Sequence, residues 1–464
     1  MIYRSIDELK QQCTGILTIK DDSVAVLDEE TLVSGLIDNL VYSAVFSSAP
    51  DVREGACWLI RRAGAALGIA SSSIQSLYEA MGEGGVSGYT VPAINLRGIT
   101  YVCAQAVFRS AIAERAGAFI FEIARSEIGY TDQRPLEYTT VVTAAALKTG
   151  YRGPIFLQGD HFQINAKKYK ADPMAETHAV ASLIREAIEG GFYNIDIDAS
   201  TVVDLSQSTL TAQQEKNFDI TADLTALIRE IEPPGITVSV GGEIGEVGTK
   251  NTTVEEFIAF MEGYRKALNE RGEGLTGISK ISIQTGTTHG GVPLPDGSIA
   301  QVKIDFDTLR EISKIARSDY GLSGAVQHGA STLPEDAFDK FPETGTAEVH
   351  LATGFQNILY DSDHFPSELK AHIYEYITGD LAGEKKDSDT EEQFIYKTRK
   401  KGFGRFKKDM WNLPTETLTA IGAELEERFS FLFDKLNIQG TDETVRRIVK
   451  PVNVPVPSPK GLKN

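Results

Sequence analysis

The sequence predicts a (β/α)₈ barrel, and three observations carry that expectation. From Tyr89 onward, short apolar runs alternate with helical patterns for eight rounds, and strands alternating with helices build a parallel sheet. Those rounds fill roughly 260 residues, the size of a closed barrel, whereas a doubly wound open sheet stops nearer five or six strands. Several runs also end abruptly in polar residues beside glycine, where a barrel opens its carboxyl-terminal mouth. The clearest is Pro154-Ile-Phe-Leu-Gln-Gly-Asp160-His161.

In chain order, residues 1–88 read as a helical extension. Glu30 to Phe46 and Val52 to Leu67 carry apolar residues at three- and four-residue spacings, broken by Ser47-Ser48-Ala49-Pro50. No catalytic constellation lies there, and Gly82-Glu-Gly-Gly-Val-Ser-Gly88 marks the boundary. Residues 89–380 read as the barrel domain. Its expected strands are Thr90–Asn95, Ala118–Ile123, Pro154–Gly159, Tyr193–Asp198, Ile236–Glu243, Lys280–Thr285, Gly324–Gln327 and Ala347–Leu351. Helical patterns lie between them at Glu176–Glu189, Ala222–Ile231, Val254–Leu268 and Asp307–Arg317, and residues 356–378 suggest a closing helix. Residues 381–464 read as carboxyl-terminal helices and a tail. A polar loop, Leu381 to Glu392, precedes the one dense basic cluster, Lys397 to Lys408. The helix Glu416–Lys435 follows, and Pro451–Asn464 is expected to be a mobile or docking tail.

Composition narrows the function classes. The 464 residues include 46 basic and 65 acidic side chains, a net charge of −19. Phosphate backbones need a basic stripe, so nucleic acid is not an expected partner. Cys13, Cys57 and Cys103 have no paired spacing, which argues against a disulfide framework or a cysteine zinc cluster and fits a reducing cytoplasm. The first residues lack the apolar core of a signal peptide, and no run approaches the roughly 18 apolar residues of a membrane helix.

Only seven histidines occur, and three share one topological place. They stand in Gly159-Asp160-His161, Gly286-Thr-Thr-His289-Gly-Gly291 and Gln327-His328-Gly329-Ala-Ser331, each just after a strand. A fourth strand ends in Gly241-Gly242-Glu243-Ile-Gly245. If the barrel closes, all four ends meet at one mouth, and imidazoles with a carboxylate suit zinc or a similar first-row ion. His178, His364 and His372 fall in or beside helices and read as ordinary surface or core residues.

In order, the motifs are Val91-Pro-Ala-Ile-Asn95, Gln158-Gly-Asp160-His161, Ile197-Asp198-Ala-Ser200, Gly242-Glu243-Ile-Gly245, Gly286-Thr-Thr-His289-Gly290 and His328-Gly329-Ala-Ser331. Together they resemble the class II ketose-bisphosphate aldolases over roughly residues 89–435. The resemblance implies a fructose-1,6-bisphosphate aldolase of glycolysis or gluconeogenesis, yielding dihydroxyacetone phosphate and glyceraldehyde 3-phosphate. It implies one divalent ion, zinc, held by His161, His289 and His328 with Glu243 as a movable ligand or partner; a metal-independent variant is the alternative. By the same resemblance Asp160 moves the C4 hydroxyl proton, Glu246 moves the C1 proton, and Asp198 lies in the outer shell. Substrate and phosphate would meet Asn95, Ser126, Gly290, Gly329, Ser331 and Thr353, with Arg399 reaching the second phosphate, sometimes across a dimer interface. A homodimer or larger homo-oligomer is implied.

The eighth strand departs from the family pattern. Asn-Ile-Asp-Thr-Asp is usual there, and this chain has His350-Leu-Ala-Thr353-Gly354. His350 therefore donates to the substrate, adds a fourth imidazole, or fills space. The rival activities are an aldolase for tagatose bisphosphate or another phosphorylated ketose, a non-catalytic aldolase-partner subunit, and a metal-dependent hydrolase.

Overall fold

The computed structural model describes residues 2–245, 250–286 and 304–462. Eight parallel strands close into a barrel. They are β4 (Val91–Asn95), β5 (Ile120–Ala124), β6 (Gly153–Gln163), β7 (Asn194–Asp198), β8 (Ser239–Gly245), β9 (Lys280–Ile283), β10 (Ala325–Gln327) and β11 (Glu348–Leu351). Pairing runs in sequence order around the ring, and β11 pairs with β4 to shut it. The expected (β/α)₈ architecture is the one observed. Strand ends differ from expectation by up to four residues, and β6 runs on through His161 to Gln163.

The outer helices form where the sequence supplies starts and stops. Thr253 and Glu256 make a capping box for Val254–Arg271, and Asp172 accepts the Ala175 N–H at the start of Pro173–Gly190. Gly150, Gly191 and Gly321 end three helices in the left-handed conformation that glycine adopts without strain.

The amino-terminal extension is not wholly helical. β1 (Leu17–Lys20) and β2 (Ser23–Val26) form an antiparallel hairpin, and β3 (Ile69–Ser72) pairs in parallel with the first half of β6. Alternating buried and exposed residues in β1 and β2 suit strands, which the three- and four-residue spacing of the neighbouring helices obscured. The helix Gln75–Gly82 then leads into β4.

The carboxyl-terminal tail is docked. Val456 accepts from the Trp58 indole at 2.9 Å, Val454 accepts from Arg62 at 3.1 Å, and Asp22 accepts the Ser458 N–H at 2.7 Å. The tail therefore straps the extension to the end of the chain. The helix Thr415–Lys435 packs on the helix Thr100–Glu114, where Glu426 receives both Arg109 and the Ser110 hydroxyl.

Candidate active site

Consecutive strand residues point to opposite faces, yet Asp160 and His161 both face the barrel mouth. The β6–β7 register slips between Gly159 and Phe162, and His161 has φ +41°. A bulge of this kind re-aims side chains. Phe162 folds back beneath it, so a Cβ on Gly159 would lie 2.5 Å from the Phe162 ring.

Three imidazoles gather around the Asp160 carboxylate. Its Oδ1 lies 3.9 Å from His161 Nε2, 4.0 Å from His328 Nδ1 and 3.3 Å from His350 Nδ1. The His328 ring lies between the other two, tilted to each, at centroid distances of 4.2 and 3.9 Å. On its other side His161 Nδ1 meets Asp198 at 3.3 Å and Glu243 at 2.9 Å, while His328 Nε2 meets the Ser282 hydroxyl at 2.9 Å. Imidazoles anchored through one nitrogen and turned inward through the other are the usual preparation for holding a metal. Asp160, His161 and His328 bring their nitrogen and oxygen atoms within 4.8 Å of one another, and the two imidazole nitrogens suit a first-row divalent ion, with the Asp160 carboxylate beside it. The donor set therefore fits a metal. Glu243 sits behind His161, beside Asp198. His289, Glu246 and Gly290 lie outside the described residues.

Burial and charge set the protonation of this cluster. Burial pulls His161 down, but the Asp160 and Glu243 carboxylates outweigh it and hold the imidazole well above its usual range. His350 behaves likewise, raised by Glu122, Asp160 and Glu348 against burial. Burial pushes Glu243 up to about 7 despite His161, and Glu122 up to about 8 despite His350.

A second, deeper layer was not anticipated from the sequence. Lys280 is buried in the barrel, with Nζ 2.6 Å from Glu348, 2.7 Å from Gln158 and 3.0 Å from Asp196. Burial would lower Lys280, but Asp196 and Glu348 raise it overall. Glu348, conversely, is held well below the carboxylate range by Lys280 and His350 against its burial. A Cβ on Gly241 would lie 2.3 Å from Asp196 Oδ1 and 2.9 Å from Lys280 Cε, so this pair occupies the space a side chain there would need. His350 reaches down to this layer, with Nε2 2.6 Å from Glu348, and sideways to Glu122 at 2.8 Å.

Above the cluster a cavity of about 780 Å³ opens at the mouth. Asn95, Ser126, Gly329, Ser331, Thr353 and His350 all line it. Gly329 has φ +68°, and a Cβ on Gly354 would lie 2.8 Å from the Ser331 carbonyl. The loop after β10 is thereby packed tightly onto the start of the helix Thr353–Asp361. Asn95 and Arg97 are both tied to Glu127.

Arg399, expected to reach the second phosphate, is not among the residues that line this cavity. Its guanidinium turns away from the cavity, bonding Asp361 and Asn357 at 2.7 Å and stacking on Tyr360 and Tyr396. The aromatic pocket holds the planar guanidinium better than it would an ammonium. From the same basic segment Lys397 and Lys400 line the cavity instead. Lys397 is paired with Asp389, whereas Lys400 lies over the Tyr130 ring at 5.7 Å, its pKa lowered by burial and then by Arg97.

A family model described as fructose-bisphosphate aldolase class-II matches residues 75–410. The chain is 24% identical over 271 residues to a fructose-bisphosphate aldolase of Giardia intestinalis (strain ATCC 50803 / WB clone C6), covering 58% of this chain and 69% of that one. Among solved structures it is similar to a probable tagatose 6 phosphate kinase from Sinorhizobium meliloti 1021, with TM-score 0.52 and 18% identity over 80% of this chain and 96% of that one. It is also similar to the fructuronate-tagaturonate epimerase UxaE from Cohnella laeviribosi, with TM-score 0.55 and 12% identity over 86% and 90%. At such identities the two structures speak for the fold alone.

Proposed function

The chain belongs to the fructose-bisphosphate aldolase class-II family, and from that premise we propose that it reversibly cleaves fructose 1,6-bisphosphate to dihydroxyacetone phosphate and glyceraldehyde 3-phosphate. The observation that carries this reading is the convergence of His161, His328 and His350 on the Asp160 carboxylate. Asp160 accepts the C4 hydroxyl proton as the C3–C4 bond breaks, and the bond electrons move toward the ketone. In condensation the same carboxylate returns the proton to the aldehyde oxygen.

His161 and His328, with His289 from beyond the described residues, would hold a divalent ion, with zinc as the expected element. When bound, the ion supplies Lewis-acid polarisation of the substrate ketone. Asp198 and Glu243 fix the His161 ring from behind, and Ser282 fixes His328. His350, at the position of the family's asparagine, directs Nδ1 toward Asp160 and the cavity and donates to the substrate oxygen where charge develops. Gly329, Ser331 and Thr353 form the seat for one phosphate, and Lys400 faces the other.

We place the activity in the cytoplasm. Among the described residues no helix is long and apolar enough to cross a membrane. The test is a substrate panel given to the purified protein alone: fructose and tagatose bisphosphates and their monophosphates. Release of triose phosphate fastest from fructose bisphosphate supports the proposal. Faster release from tagatose bisphosphate moves the substrate, and no release from any ketose phosphate ends the aldolase reading.

A further inference from the structure

Glu348 is buried and gathers four partners. Its Oε2 accepts the hydroxyl of Tyr78, and its Oε1 accepts from Lys280 at 2.6 Å and Gln158 at 2.8 Å. The same Oε1 lies 2.6 Å from His350 Nε2. Tyr78 belongs to the helix Gln75–Gly82, which precedes the first barrel strand and ends with Gly82 against the Gly321 and Leu322 backbone, just before β10 begins and so at the end opposite the mouth. Of these residues only His350 reaches the cavity. A column thus runs from a helix below the barrel, through the buried layer, to an imidazole at the mouth.

We propose that Tyr78, Lys280 and Glu348 are positioning residues for His350, the column fixing the ring so that its Nδ1 edge meets Asp160 and the substrate. This rests on the reading of His350 as a substrate-facing donor. Burying an ion pair costs desolvation that apolar residues of the same size would avoid, so the pair is poorly explained by stability. Its placement beneath the one ring that departs from the family pattern is explained by orientation. Nε2 of His350 lies against the Glu348 carboxylate from below, while Nδ1 lies between Glu122 at 2.8 Å and Asp160 at 3.3 Å beside the cavity, so charged groups on both edges hold the imidazole in one pose. Lys280 itself is not offered to substrate, because it is buried, paired three ways and absent from the cavity wall.

The experiment is a pair of double-mutant cycles. Tyr78→Phe removes only a hydroxyl and Glu348→Gln removes the charge; each is made in the parent and in His350→Asn. In the parent, Glu348→Gln should lower kcat by about 100-fold and Tyr78→Phe by about 5-fold, with KM moved less than about 3-fold. In the His350→Asn background both further losses should vanish, because neither residue then has a ring to orient. Equal losses with and without His350, or parental kcat in both single variants, would overturn the proposal. If Glu348→Gln does not fold, Tyr78→Phe carries the cycle.

A second readout is independent of which reaction the enzyme catalyses. In ¹⁵N-histidine spectra of Tyr78→Phe, the His350 signals should shift while those of His161 and His328 stay in place. Unmoved His350 signals overturn the column; a parent that cleaves no ketose bisphosphate overturns only the activity.

Discussion

Glu348 and His350 stand two residues apart on β11, and Oε1 of the first lies 2.6 Å from Nε2 of the second. The spacing of two turns both side chains into the barrel, one above the other. The buried charge layer and the candidate catalytic carboxylate are therefore joined through a single ring, since His350 Nδ1 is 3.3 Å from Asp160. Mutational and pH behaviour should reflect that connection.

Asp160→Ala should lower kcat for ketose-bisphosphate cleavage by about two to four orders of magnitude, the range for loss of a positioned general base. Thermal unfolding should stay close to wild type, because the side chain lies at the mouth rather than in the apolar core. Steady-state kinetics with a melting curve check both halves, and near-normal turnover contradicts the role.

Glu122 makes stability depend on pH. Burial raises its folded pKa to about 8 from the usual 4.5 of a glutamate, despite His350 beside it. The native state then holds a proton that the unfolded chain has lost. The stability this group contributes is full below its unfolded pKa and is lost as pH rises through its folded one. Denaturant unfolding of the metal-free protein should show a decline from about pH 5 to pH 8 that Glu122→Gln lacks, on the order of a few kcal/mol. Parallel curves for the two proteins would contradict it.

Metal uptake should release protons. In the metal-free cluster His161 is held well above its usual range, so its proton must leave when the ring becomes a ligand. Affinity should weaken as pH falls below that raised pKa. Calorimetric titration near pH 7 in buffers of different ionisation enthalpy should find roughly one proton or more released per ion. Release of none would place His161 outside the coordination set.

Lys400 and Arg399, adjacent in sequence, should separate in their effects. Lys400→Ala should raise KM for the bisphosphate by about 10-fold with little change in kcat, as expected for loss of ground-state and transition-state binding together. Arg399→Ala should leave KM alone and cost about 1–3 kcal/mol of stability, because its guanidinium is tied to Asp361, Asn357 and two aromatic rings. Exchanged outcomes would mean that the basic segment rearranges around the substrate.

Much of this site is legible in the sequence because barrel topology sends strand ends to one place. Asp160, His161 and His328 could be gathered from their positions after apolar runs, without knowing which strands pair. The deeper layer was missed for a specific reason. Asp196, Lys280 and Glu348 begin or interrupt apolar runs and look like strand punctuation. Yet each stands two residues before a side chain of the upper layer: Asp196 before Asp198, Lys280 before Ser282, Glu348 before His350. Counting by two would have found them. The packing of Arg399 was not legible, since nothing local reveals that Asp361 and two tyrosines receive its guanidinium within the chain. Tyr78 was out of reach, because its partner Glu348 is 270 residues away.

The most direct test of the account is the metal content of the purified chain and of His161→Ala and His328→Ala, measured beside fructose-bisphosphate cleavage before and after chelation. The account predicts about one divalent ion per wild-type chain, far less in both variants, and cleavage that stops on chelation and returns with the ion. Unchanged metal in both variants, or full-rate cleavage by stripped protein, would contradict it.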